Sequence, residues 1–153
     1  MDMSFEDRFS ELQADMVSVC LEYAERTADR VFIYASCEGD IISSNFFYQV
    51  NGRLKKKHKL NDGSDRHFDT SIKRQQAVMK IMNDDIEKIK MLCAHSNRPM
   101  PTEMKLVFDV TTGEMSAKYQ YEPIYTTSTD ETAMTVCEKW FVRVATESTG
   151  GLQ

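Results

Sequence analysis

The sequence predicts an α+β domain: an antiparallel sheet of about five strands with helices packed on one face, in the order α-β-β-β-α-β-β-α. Three observations lead to that class. Met104, Leu106, Phe108 and Val110 alternate with Lys105, Val107 and Asp109; after Thr111-Thr112-Gly113 the alternation returns as Met115, Ala117, Tyr119 and Tyr121. Residues 104–121 therefore read as one β-hairpin. Asn51-Gly52 joins two further runs and is the strongest short hairpin signal in the chain. Elsewhere apolar residues recur at spacings of three and four, the period of a helix with one buried stripe.

The first helix is expected over Ser4 to Thr27. Ser4 is its cap, Asp7 stands close to a capping-box position, and Phe5, Phe9, Leu12, Met16, Val19, Cys20 and Tyr23 form its apolar stripe. Its opposite face is mainly acidic, and its early acids suit the helix dipole. A meander follows. Val31 to Cys37 is dense in β-formers, Glu38-Gly39-Asp40 turns, and Ser44 to Val50 is the second strand. The third, Arg53 to Leu60, is barely apolar and belongs at a sheet edge.

The second helix is expected from about Asp69, its candidate N-cap, to Ala94, with Ile72, Met79, Met82, Ile86, Ile89 and Cys93 on one stripe. In the hairpin that follows, Gly113 supplies the positive φ of the turn. Pro123 ends the return strand because it cannot donate to a ladder. Tyr119 and Tyr121 are expected to pack beneath the helices. The last helix begins near Asp130, with Ala133, Val136, Cys137, Trp140 and Val144 as its apolar face; Val142 to Ala145 read equally well as strand. One domain over 1–147 and a loose tail over 148–153 complete the organisation.

Bulk properties narrow the function. The chain has 153 residues, 41% of them hydrophobic, which suits one domain with a sizeable core. No apolar run is long enough to span a bilayer, and the N-terminus lacks the basic and apolar regions of a secretory signal, so the expected location is the cytoplasm. Cys20, Cys37, Cys93 and Cys137 are scattered in apolar stretches with no CxxC pair, as free buried thiols would be. The net charge is −5, and residues 1–30 carry eight acids against three arginines. Such a chain attracts basic partners rather than nucleic acid.

Chemistry is sparse. Cys93 and His95 are close in sequence, but residues two apart on a helix diverge. Asp65, His67 and Asp69 would place Arg66 inside a metal site, so no metal or other cofactor is expected. No phosphate loop, nucleophile elbow or HExxH is present. The run Arg53-Leu54-Lys55-Lys56-Lys57-His58-Lys59 beside Phe46, Phe47 and Tyr48 has the ingredients of an RNA-binding sheet. Lysines are also how proteins protect a sheet edge, and with acidic flanking helices that reading is preferred. Aromatic residues on both faces of the Phe46-Phe47-Tyr48 strand suggest one face left partly open, a hint of a protein-binding surface. The chain therefore reads as a binding protein and not as an enzyme.

Several of these segments, in this order, resemble the YezG-like immunity protein family: Val31-Phe32-Ile33-Tyr34-Ala35; Ser43-Ser44-Asn45-Phe46-Phe47-Tyr48; Leu106 to Glu114 leading into Tyr119-Gln120-Tyr121; and Trp140. The resemblance covers about residues 30–145. The basic run, the Pro99-Met100-Pro101 loop and the missing Trp before the hairpin depart from the family pattern. The resemblance implies a cytoplasmic antitoxin that binds the toxic C-terminal domain of a secreted antibacterial protein, a basic nuclease domain being the expected partner. A small acidic secretion chaperone that binds an extended effector segment is the alternative. The candidate contact surface is acidic: Asp84, Asp85 and Glu87 on the second helix, with Glu122, Asp130 and Glu131 around the last loop. No membrane or nucleic-acid partner is expected, and the sequence does not fix an oligomeric state.

Overall fold

A computed structural model describes residues 3–151, with side chains as far as Glu147; the tail expected over 148–153 lies outside the residues described at that level. The element order is α1 (Phe5–Tyr23), β1 (Arg30–Glu38), β2 (Ile41–Val50), β3 (Arg53–Lys56), a short 3-10 turn (Lys57–Lys59), α2 (Ile72–His95), β4 (Glu103–Asp109), β5 (Met115–Gln120) and α3 (Ala133–Gly151). This is the expected α+β order. The strands form one antiparallel sheet, β3-β2-β1-β4-β5, with β1 at its centre.

Ser4 caps α1 by accepting from the Asp7 N–H at 3.1 Å. The helix stops at Tyr23, short of Thr27, because Glu25 and Arg26 turn left-handed (φ 51° and 58°) and the Arg26 N–H returns to Leu21 O. That reversal aims the chain into β1. Strand β3 lies at an edge as expected but ends at Lys56. Leu60 is 1% exposed, and the chain must leave the sheet to bury it; Tyr23 Oη donates to Lys57 O at 2.8 Å and fixes the departure. The N-cap of α2 is Ser71 and not Asp69. Ser71 Oγ accepts from the Arg74 N–H, while Asp69 caps the preceding turn by accepting from the Ser71 N–H. Ile72 falls outside the helix stripe and is exposed, whereas Val78 joins Met82, Ile86, Ile89 and Cys93 inside.

In the second hairpin Asp109 Oδ1 accepts from the N–H groups of Thr111 and Thr112, and Gly113 takes φ 74°. Tyr119 is only partly covered; it meets Phe9 edge-on and accepts from Gln13 Nε2 at 2.9 Å. Tyr121 lies beyond β5 and is 52% exposed, so it does not pack beneath the helices. Helix α3 starts at Ala133 behind a reciprocal pair. The Thr135 N–H donates to Thr132 Oγ1 and the Thr132 N–H to Thr135 Oγ1. It stays helical through Val142 to Ala145, which closes the alternative left open by the sequence.

The largest correction concerns the layers. Helices α1 and α2 cover one face, where Val31, Ile33, Ala35, Phe46, Tyr48, Met104 and Leu106 point. Helix α3 covers the other, seating Cys137 and Trp140 on Phe32, Tyr34 and Phe47. The reason lies in β1, which is buried from Val31 to Glu38 on both of its faces. Leaving Phe32 and Phe47 to water would forfeit about 1.5–3 kcal/mol each. The second face is therefore not the open surface that the aromatic residues of β2 suggested.

Candidate interaction surfaces

The thiols are sequestered. All four cysteines are free and buried. Burial pushes the thiols of Cys20, Cys37 and Cys93 up, and that of Cys137 up to about 12, so each is held protonated and unreactive. Cys93 faces the core while His95 is exposed, so the two do not form a pair. No group of metal-binding side chains comes together among the described residues.

Of the acidic candidates, Asp85 is misplaced on a contact surface. It is 3% exposed and lies on the inner stripe of α2, three residues after Met82 and four before Ile89. One carboxylate oxygen, Oδ2, has no hydrogen-bond partner among the described residues. Burial, together with Asp15 of α1 beside it, pushes its carboxyl up to about 7. Asp84 and Glu87 are exposed, Asp84 pairing with Lys80 one turn back at 3.3 Å. Glu122 and Asp130 are exposed on the connection to α3. Glu131 is half-buried, bonded to Lys139 and Thr135, and Lys139 holds its carboxyl below the usual range. The six do not form one patch, because α2 and the start of α3 belong to opposite layers.

The basic run lies along the β3 edge, and three of its lysines are tied to their own fold. Lys55 Nζ donates to Asp62 O at 2.6 Å and ties the following loop over the strand. Lys56 pairs with Glu138 of α3 at 2.7 Å and sits over the Phe141 ring. Lys57 reaches back to Asn45 Oδ1 at 2.6 Å. These lysines are engaged with their own fold.

Sequence reasoning missed two buried carboxylates on the α3 side of the sheet. Glu38 accepts from the N–H groups of Tyr125 and Thr126 and from Thr126 Oγ1 at 2.6 Å. Burial opposes its charge, yet the Thr126 and Tyr125 hydrogen bonds hold it below the usual carboxylate range. Glu103 accepts from Tyr34 Oη at 2.8 Å and lies 3.5 Å from Lys105 Nζ. Both stand at the end of a strand, where a carboxylate reads as solvent-facing, and only the loop and Tyr34 that meet them in space reveal their burial.

The opposite sheet edge is built differently. Strand β5 pairs only with β4, and most of its residues are exposed. Beside it a groove of ≈330 Å³ runs between α1 and the hairpin, lined by Ala14, Val17, Leu21, Phe108 and Met115 among others, with Arg26 at one end. Asp7, Glu11, Asp15 and Glu22 are exposed along α1, and Arg8 is the one basic residue of that helix. The mainly acidic helix face was visible in the sequence; its place beside an open strand was not. No family model and no curated protein matches the sequence.

Proposed function

We propose that this chain is an immunity protein: it binds and neutralises the toxic, nucleic-acid-cleaving domain of a secreted antibacterial protein. The observation that carries the reading is the one-sided charge of α1, where Asp7, Glu11, Asp15 and Glu22 face solvent against the single Arg8. Nuclease domains bind phosphate and are commonly basic, so an acidic helix face steers such a domain toward the inhibitor and competes for its substrate cleft. Sequestered thiols and strand and helix faces given over to packing fit a role in binding. The resemblance to the YezG-like family supports the same reading.

The test is co-expression with the C-terminal domain encoded by the neighbouring toxin gene. The expected outcome is rescue of cells that the domain alone kills, and a co-purifying complex whose association rate falls steeply between low and high salt. A toxin domain that kills equally well with and without the chain overturns the reading.

A further inference from the structure

The open β5 edge, the adjoining groove and the acidic crest of α1 lie side by side. We infer that an extended, lysine- or arginine-rich segment of a partner protein docks there by adding a strand to the sheet. The inference rests on the reading of the chain as a protein-binding inhibitor, and it specifies how the partner is held.

The backbone sets the docking rail. The Asp109 N–H donates to Glu114 O at 2.9 Å, so the even-numbered residues of β5 turn their peptide groups toward β4. Strand alternation then turns those of Met115, Ala117 and Tyr119 outward, where no described residue bonds them. Added strands gain affinity from such main-chain groups and specificity from flanking pockets. The pocket here is apolar: Met115 is 39% exposed at the rim of the groove, with Ala14, Val17 and Leu21 across from it.

Charge identifies the occupant. Asp7, Glu11, Ser18 and Glu22 recur at helical spacing on the stripe of α1 next to the groove-lining residues Ala14, Val17 and Leu21. Asp7 and Glu22 have no ion-pair partner among the described residues, whereas Glu11 is paired with Arg8. Basic side chains on the incoming strand satisfy them. A second copy of this chain would bring its own acidic stripe against this one, and nucleic acid would be repelled for the same reason. The β3 edge offers no equivalent for a basic strand, being four residues long with a neighbouring groove lined by Arg53, Lys55, Lys56, His58 and Lys59.

The probe is a short fluorescent peptide whose odd positions are lysine and valine in turn and whose even positions are threonine, so that one strand face carries both lysine and valine, with glutamate in place of lysine in the control, titrated at low salt. The lysine peptide is expected to bind and to protect the amides of Met115, Ala117 and Tyr119 from hydrogen exchange, and the glutamate peptide to bind at least about tenfold more weakly. Ala117→Pro removes an outward N–H at a position where an edge strand tolerates proline, and is expected to weaken binding by about tenfold or more. The Asp7→Lys, Glu22→Lys double variant, which leaves the rail intact, is expected to do the same. No binding of the lysine peptide, binding that leaves those amides unprotected, or equal affinity in Ala117→Pro overturns the inference. If the toxin domain is nevertheless captured, the functional reading stands and its surface lies elsewhere; if no toxin domain is captured, that reading fails whatever the peptide does.

Discussion

On one face of the sheet, α1 and α2 press Met16, Met82, Ile86 and Ile89 onto Ile33, Phe46 and Leu106, every one of them at most 1% exposed. On the other, α3 alone seats Trp140 and Cys137 on Phe32, Tyr34 and Phe47, with Val136, Phe141 and Val144 only partly buried around them, and polar ties add to its hold: Lys56 to Glu138, and Glu38 to the loop ahead of the helix. Beyond Trp140 the same face opens into a groove of ≈300 Å³ lined by Lys105, Lys118, Arg143 and Glu147 among others. The first layer is held by a large fully buried area, the second by a smaller apolar cluster and a few specific polar contacts. Area loss is felt by the whole molecule. Contact loss is felt where it occurs, so α3 belongs to the low-stability end of the structure.

The sharpest way to break the contrast is to cut each layer at its centre. Ile86→Ala opens a cavity between α2 and the sheet and is expected to cost about 4 kcal/mol, read as one shifted transition in urea by all spectroscopic probes. Trp140→Ala is expected to cost about 3 kcal/mol, but to show as lost hydrogen-exchange protection in α3 while α1 and α2 keep theirs. If Trp140→Ala deprotected both layers together, the contrast would be void.

Asp85 is the flaw in the better-packed layer, and it runs the other way. Its folded-state carboxyl titrates at about 7 against an ordinary 3.8, so between those values the folded chain keeps a proton that the unfolded chain releases. Stability from this group therefore falls as pH rises from about 4 to about 7 and stays lowered above that. Asp85→Asn is expected to raise stability at pH 8 by about 2 kcal/mol and to flatten that slope, measured by denaturation across pH. The smallest effect is expected from Glu38→Gln, about 1 kcal/mol of stability at pH 7. The Glu38 carboxyl is depressed, so its contribution is present at neutral pH and is lost as pH falls through the acid range; in Glu38→Gln that acid-side loss should disappear.

The elements were legible because their signals are local: the Ser4 cap, the alternation from Met104 to Phe108, and Gly113 at the turn. What escaped depends on neighbours distant in sequence. Asp69 and Ser71 are both competent caps, and only the turn that Asp69 makes decides between them. The face that α3 covers follows from β1 being apolar on both sides, a pattern visible in Phe32 and Tyr34 alternating with Ile33 and Ala35, although a strand dense in β-formers does not say which helix covers which face. Asp85 sits at helix-stripe spacing, yet its charge argued for the surface. The β5 edge could not be read at all, because β4 inserts beside β1 and leaves β5 outermost, which is a matter of strand order.

That insertion also governs how the chain assembles. Strand β1 meets β2 across a tight turn, Glu38 opposite Ile41, but it meets β4 only by pairing Ser36 with Glu103 and Arg30 with Asp109, across all of β2, β3 and α2. The first pairing closes a minimal loop, and the second must gather all of α2 before it gains a contact. The β1-β2-β3 meander is therefore expected to form before the β4-β5 hairpin docks on β1. The hairpin's outer strand comes to lie beside the acidic stripe of α1 only once that long-range pairing is made, so the combined surface is a product of the completed fold.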